Sequence, residues 1–302
     1  METRNRIVSR REAMAIFGLA AAPASVAQGG PQAKGKSASS GPNKPAKGKG
    51  IALQLYTLRN QAKEDLAGTL KKAREIGWEY VQWSGMPDLS AEKIKEALDA
   101  AGLKAMAVHT DMEGFEKDFE QTARFWKTIG AMDIAPGSMM KDCQGSLEAW
   151  LKGARRLDAI GARLRAVGMR LSYHNHSFEF EKFPGDNRNK LDILMESTKP
   201  ENLCAELDTA WVFNGGSDPA AYIRKYKGRC PVIHVKDIAA AVPAGGKVQF
   251  KPLGQGALPW KDIFAAGRES GVDWYIYEQD AGDGSPFEYA RASYEFLARN
   301  LL

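Results

Sequence analysis

The 302-residue chain has little cysteine and little histidine: three of the first and four of the second. Cys143, Cys204 and Cys230 form no CxxC pair, their number is odd, and Cys204 and Cys230 fall within apolar runs. A disulfide framework is therefore not expected, and the three thiols read as small buried hydrophobes. No GxGxxG and no GxxxxGK[ST] occurs, so the glycine-rich phosphate turns of dinucleotide and P-loop sites are missing. Nor does any stretch approach the roughly 18 consecutive apolar residues of a membrane span.

Positive charge is also absent from where a nucleic-acid surface would need it. The formal charge is +5, but residues 1–27 carry +2 and residues 28–50 carry +5, which leaves −2 for residues 51–302. The body offers no field to a phosphate backbone, so nucleic acid is not an expected partner. In the leader, Arg10-Arg11 precede a short apolar run, Ala13–Ala24, and Ser25-Val26-Ala27 supplies small residues for cleavage after Ala27. Residues 1–27 thus read as a twin-arginine signal peptide, with the twin-arginine export machinery as partner and a periplasmic or otherwise exported destination. Residues 28–50 are rich in Gly, Pro, Ser and Lys and hold no large apolar side chain. They cannot offset the entropy of ordering and read as a disordered linker.

What is present begins at Ile51. Eight short apolar runs alternate with amphipathic stretches: IALQLY (51–56), YVQWS (80–84), KAMAVH (104–109), AMDIA (131–135), RLSYHN (170–175), LCAELD (203–208), PVIHVK (231–236) and WYIYEQ (274–279). Between the first two, residues 64–77 align Leu66, Leu70, Ala73 and Ile76 on one helical face and stop at Gly77. Residues 90–102 open on Ser90 as N-cap and close at Gly102. Eight strand–helix units in about 250 residues predict an α/β fold, a single-domain (β/α)8 TIM barrel over 51–302. An open doubly wound sheet is the alternative, and it lacks its glycine-rich first turn.

Reacting groups in such barrels sit at the C-terminal ends of the strands. Those ends hold Gln54 and Tyr56, Gln82 and Trp83, His109, His174 and His176 with Glu179 beyond, Glu206 and Asp208, His234 and Lys236, then Glu278, Gln279 and Asp280. All four histidines lie there. Strand alternation puts His174 with His176, Glu206 with Asp208, and His234 with Lys236 on shared faces. If His174, Asp208, His234 and Glu278 point inward they converge. Imidazoles with carboxylates suit one divalent ion such as Mn2+, Zn2+, Co2+ or Fe2+. Singly, each has a plainer use: Asp208 as a helix cap, Glu278 as an ion-pair partner, Lys236 paired with Asp208 or Asp237. Together, at the same end of successive strands, they favour a shared ion, because unpartnered buried charge is costly.

YHNHSFEF, ELDTAWV, VIHVKDI, PLGQGALPW and YIYEQD, in this order, resemble the xylose-isomerase-like TIM-barrel sugar isomerase/epimerase superfamily, and in particular its often exported sugar phosphate isomerase/epimerase-like branch. The resemblance implies one metal ligand from each of strands five to eight, commonly Glu, Asp, His and Glu. Asp208, His234 and Glu278 match the last three. His174 stands where the first glutamate is usual, with His176 or Glu179 in reach of a register shift at the strand end. A histidine there departs from the paired glutamate bases of the family's epimerases.

The expected reaction is isomerisation or epimerisation of an unphosphorylated sugar or keto-sugar through a metal-stabilised enolate. The alternatives are a lyase or dehydratase that expels a β-group from a keto-sugar, keto-glycoside or inosose, and a non-catalytic sugar-binding barrel. Glu278, His176 and His109 are the candidate proton-transfer residues, with Lys236 as electrostatic stabiliser or proton donor. Tyr56, Trp83 and Trp211 offer faces to a carbohydrate ring, and Gln255 and Glu179 are further candidate substrate contacts. A Schiff-base aldolase using Lys236 and a phosphodiesterase for damaged DNA are weaker rivals; the second lacks both a ligand-rich cluster and a basic groove.

Overall fold

Each apolar run becomes a strand. The structure, a computed structural model, describes residues 50–302; the expected signal peptide and all but the last residue of the expected linker lie outside the described residues. That last residue, Gly50, opens the first strand. In chain order the strands are β1 (Gly50–Gln54), β2 (Tyr80–Trp83), β3 (Lys104–His109), β4 (Asp133–Ala135), β5 (Arg170–His174), β6 (Cys204–Asp208) and β7 (Val232–Val235). A small antiparallel pair follows, β8 (Asp237–Ile238) with β9 (Phe250–Lys251), and then β10 (Trp274–Tyr277). β10 pairs in parallel with β7 on one side and β1 on the other, closing an eight-stranded barrel.

The helices outside follow the apolar stripes. Leu66–Ile76 buries Leu70, Ala73 and Ile76, and the Asp65 carboxylate caps it by accepting from Gly68 N at 2.9 Å. A short helix that the sequence pattern did not indicate, Arg59–Glu64, precedes it. Ser90 caps Ala91–Ala101 as its sequence predicts, and Gly102 ends it. Alternation along each strand divides the core in two. Outward residues such as Trp83, Val108, Tyr173 and Ile233 pack under the helices, while Ala52, Met106, Ala107, Val232 and Ile276 plug the barrel interior.

Two irregularities shape the mouth. Gln82 pairs with Ala107 although Val81 pairs with Ala105, so Met106 is an extra residue in β3. A bulge reverses the alternation beyond it, which is why Met106 and Ala107 both face inward and why His109 does too. The β8–β9 pair carries Phe250 over the barrel end, 5.7 Å from the Trp211 ring. All three cysteines are free; Cys143 and Cys230 are buried and Cys204 is half-buried.

Candidate active site

Above the apolar plug the inward positions become polar, and Glu206 on β6 is their hub. Its Oε1 lies 2.5 Å from His109 Nε2, 2.9 Å from His234 Nε2 and 3.4 Å from His174 Nδ1. Gln82 donates Nε2 to Glu206 Oε2 at 3.1 Å and accepts from Gln54 Nε2 at 2.8 Å. Burial alone would raise the Glu206 carboxyl, but His109 and His234 outweigh it and hold the group well below the usual carboxylate range. His234 is gripped at both nitrogens, since its Nδ1 lies 2.9 Å from Glu278 Oε2. Burial works against its charge, yet Glu206 and Glu278 raise it to about 10. Burial and the neighbouring His234 push His174 the other way, well below its ordinary value.

One layer nearer the mouth, Lys236 is buried among three carboxylates. Its Nζ lies 3.1 Å from Asp208 Oδ2, 3.0 Å from Glu278 Oε2 and 3.1 Å from Asp280 Oδ2. Desolvation opposes the ammonium, but Asp208, Asp280 and Glu278 hold its pKa well above the ordinary lysine value. Asp208 has two duties. Its Oδ1 caps the helix Thr209–Asn214 by accepting from Trp211 N at 3.0 Å, while the buried Oδ2 faces the Lys236 ammonium. Asp237 faces away from Lys236: its carboxylate accepts from Gly254 N, Gly256 N, Leu258 N and Trp260 Nε1.

His174, Asp208, His234 and Glu278 each offer a ligand atom within 4.8 Å of the others, and His109, His174, Glu206 and His234 form a second such group. The first group fits a divalent ion on a separate observation. His174 Nδ1 is buried and makes no hydrogen bond, its contact with Glu206 Oε1 being a long 3.4 Å, so a buried imidazole nitrogen beside two carboxylates is left for a cation to complete. Glu206 serves that group from behind. By taking His234 Nε2 it turns Nδ1 toward Glu278, as outer carboxylates orient ligating imidazoles.

Other residues singled out on sequence occupy varied places. His176 lies beyond the end of β5, its ring 5.2 Å from His174 and 5.6 Å from Trp211. Burial and Lys236 lower it to about 4, and its Nδ1 is unpartnered. Trp211 and Phe250 wall the Lys236 ammonium at 5.4 and 5.8 Å. Tyr56 is on the rim under the Arg59 guanidinium, which donates to Asp280 O at 2.9 Å. Three candidate substrate contacts are elsewhere. Trp83 is 4% exposed and packs outward, because its neighbour Gln82 takes the inward position. Glu179 is fully buried and spent on Tyr173 Oη and His176 N, at 2.8 Å each. Gln255 is exposed on the loop folded around Asp237. A Cβ on Gly256 would overlap the Asp237 carboxylate, so that loop's glycines serve the wrap and not the barrel mouth.

The sequence reading assigns no role to Glu206, Gln82, Asp280 or Phe250. The first three were visible as strand-end polar residues, and alternation from Asp208 already places Glu206 inward. Phe250 arrives from an insertion with no strand-like pattern.

Residues 70–300 match the xylose isomerase-like TIM barrel family. An inosose dehydratase of Lacticaseibacillus casei is 26% identical over 275 residues, 78% of this chain and 88% of that protein. A sugar phosphate isomerase/epimerase from Parabacteroides distasonis superposes with a TM-score of 0.71 at 19% identity, over 86% of this chain and 96% of the other. An L-ribulose 3-epimerase superposes at 0.63 with 16% identity, over 83% and 94%. With its closed parallel barrel and its histidine–carboxylate mouth, this chain belongs to the xylose isomerase-like TIM barrel family, a family of enzymes.

Proposed function

We propose that the barrel mouth is the active site of a metal-dependent lyase that eliminates a β-group from a keto-sugar or keto-cyclitol. The observation that carries this is the asymmetry of the proton-transfer groups. Epimerisation by two matched bases needs carboxylates on both faces of the substrate. Here His174 stands at the strand-five position, and Glu179, the other carboxylate in that segment, is buried beneath His176. Glu206 is engaged by three imidazoles. Glu278 is left as the base, with the cationic Lys236 beside it. A base paired with an acid suits elimination. The similarity to an inosose dehydratase over most of both chains supports the same reading.

His174, Asp208, His234 and Glu278 would hold the ion, which would supply Lewis-acid stabilisation of the developing enolate. Burial would raise the Glu278 carboxyl, but Lys236 and His234 keep it ionised and able to accept a proton. Glu278 removes the proton α to the carbonyl. The freed C–H pair forms the C=C bond, the β C–O bond breaks, and the leaving oxygen takes a proton from Lys236. An alkoxide is a far stronger base than an amine, so the leaving oxygen is the natural acceptor of that proton. His176, neutral at working pH, and Trp211 line the approach. The substrate is unphosphorylated on this reading, and residues 1–27 send the enzyme out of the cytoplasm.

The test is NMR of a keto-sugar, keto-glycoside and inosose panel in D2O with the metal-loaded enzyme. Release of water or aglycone is expected. Deuterium uptake with no group lost would instead identify an isomerase or epimerase, and saturable binding without exchange would identify a non-catalytic sugar-binding barrel.

A further inference from the structure

The barrel mouth opens sideways. Between the segment after β3 and the segment after β4 lies a cleft of about 910 Å³, at the upper end of the roughly 300–1,000 Å³ that small-molecule sites occupy. His109 belongs to both places: its Nε2 meets Glu206 in the cluster, and its ring forms part of the cleft wall. A group attached to a sugar held at the cluster has room to run past His109 into this space.

The cleft is preformed. Arg156, on the helix Leu147–Ala166, ties its two walls together. It gives Nε and Nη2 to Glu116 at 2.6 Å each, and Nη1 to Asp142 at 2.8 and 2.9 Å. Glu116 sits on the β3 side and Asp142 on the β4 side, so this bidentate pairing fixes the width of the gap. The same pairing disposes of the guanidinium as an anion site. Lys141 is then the remaining lysine or arginine of a lining that also carries Asp111 and Glu113. The rest of the surface mixes polar and apolar groups: half-buried Met140 and Ser138 lie over Met112, Met139 and Pro136, which are almost wholly covered. Thioether side chains adapt to varied apolar shapes. A phosphate or carboxylate would meet net negative charge here; a neutral ring, with its own polar edges and apolar faces, would meet a surface mixed in the same way.

We infer that the substrate is a glycoside and not a lone monosaccharide, and that this lateral cleft receives its neutral aglycone or second sugar ring, the part that leaves. The inference rests on the lyase reading, in which the C–O bond that breaks releases that group as an alcohol.

The experiment compares the methyl and benzyl glycosides of one 3-keto-hexopyranose, in which the free C3 carbonyl acidifies the C2 proton and the C1 oxygen leaves, with similar basicity in the two. Benzyl kcat/KM is expected to exceed methyl by tenfold or more. Ser138→Trp and Met140→Trp, each filling the cleft, should bring that ratio close to one. Equal values in the native enzyme, or a ratio that survives both substitutions, overturns the inference. If neither glycoside reacts, the lyase reading is decided by the keto-sugar and inosose members of the D2O panel, and the cleft is judged by calorimetric binding of the same pair to the metal-loaded protein. Tighter binding of the benzyl glycoside, lost in the filled variants, would support the subsite, and equal affinities would overturn it.

Discussion

Glu179 shows how a residue can matter to the site without touching it. Tyr173 Oη and the His176 N–H both donate to its carboxyl, fixing the backbone from which His176 reaches the mouth. Burial pushes the group up to about 8 from the usual 4.5, against the pull of those two donors. The folded value is the higher, so the protonated form stabilises the fold. That contribution is complete below the unfolded pKa and disappears as pH rises through about 8. Glu179→Gln copies the neutral form and does not titrate. The stability of the native protein relative to this variant should therefore fall between pH 5 and 8.5, by about 1.4 kcal/mol per pH unit at most. Urea midpoints of both proteins across that range measure it, and parallel profiles would show that the carboxyl is ionised throughout. Sequence did not reveal this role for a definite reason. Alternation sorts residues only while the strand lasts, and β5 ends at His174. Asp208 and His234 lie inside strand-end register and were legible; Glu179 lies in the turn beyond and was not.

Elements were legible where their own side chains define them. Eight apolar runs gave eight strands, and Ser90 and Gly102 gave the bounds of a helix. The β3 bulge was not legible, because a single extra residue in KAMAVH leaves no compositional trace, although it is what turns His109 inward. The two-residue strands β8 and β9 are likewise too short for a pattern. Element packing also decides a glycine in the long helix Leu147–Ala166. In isolation Gly161→Ala would gain about 1 kcal/mol of helix propensity. In the barrel, a Cβ there would overlap the Asn202 carbonyl oxygen in the turn that leads into β6. Both atoms belong to backbone, so a segment has to shift, at roughly 1–3 kcal/mol. The substitution should therefore lower unfolding free energy by up to about 2 kcal/mol net, read as a drop in the urea midpoint at constant m. A rise in midpoint would mean that helix and turn have more room than this packing allows.

At the scale of the molecule, the four candidate ligands come from four strands, so an ion they share must hold the barrel closed as well as serve chemistry. Binding to the folded state alone adds about 2.7 kcal/mol at a hundredfold excess over Kd. For a domain of this size that is roughly 5–10 °C in midpoint. Adding Mn2+, Zn2+, Co2+ or Fe2+ to chelator-treated protein should produce such a shift for at least one ion, read by calorimetry alongside metal content by mass spectrometry. Two variants locate it. Asp208→Asn keeps an oxygen for the helix cap but removes the buried carboxylate, and should abolish both the shift and the retained metal. Glu206→Gln acts through the imidazoles that Glu206 holds, His234 above all, and should weaken affinity by about 10–100-fold, so its shift returns at higher metal concentration. The opposite pattern, with Asp208→Asn loaded and Glu206→Gln empty, would move the ion down onto the three imidazoles and Glu206. Asp208, Glu278 and Asp280 would then belong to Lys236 alone, and the outer layer would act through its ammonium.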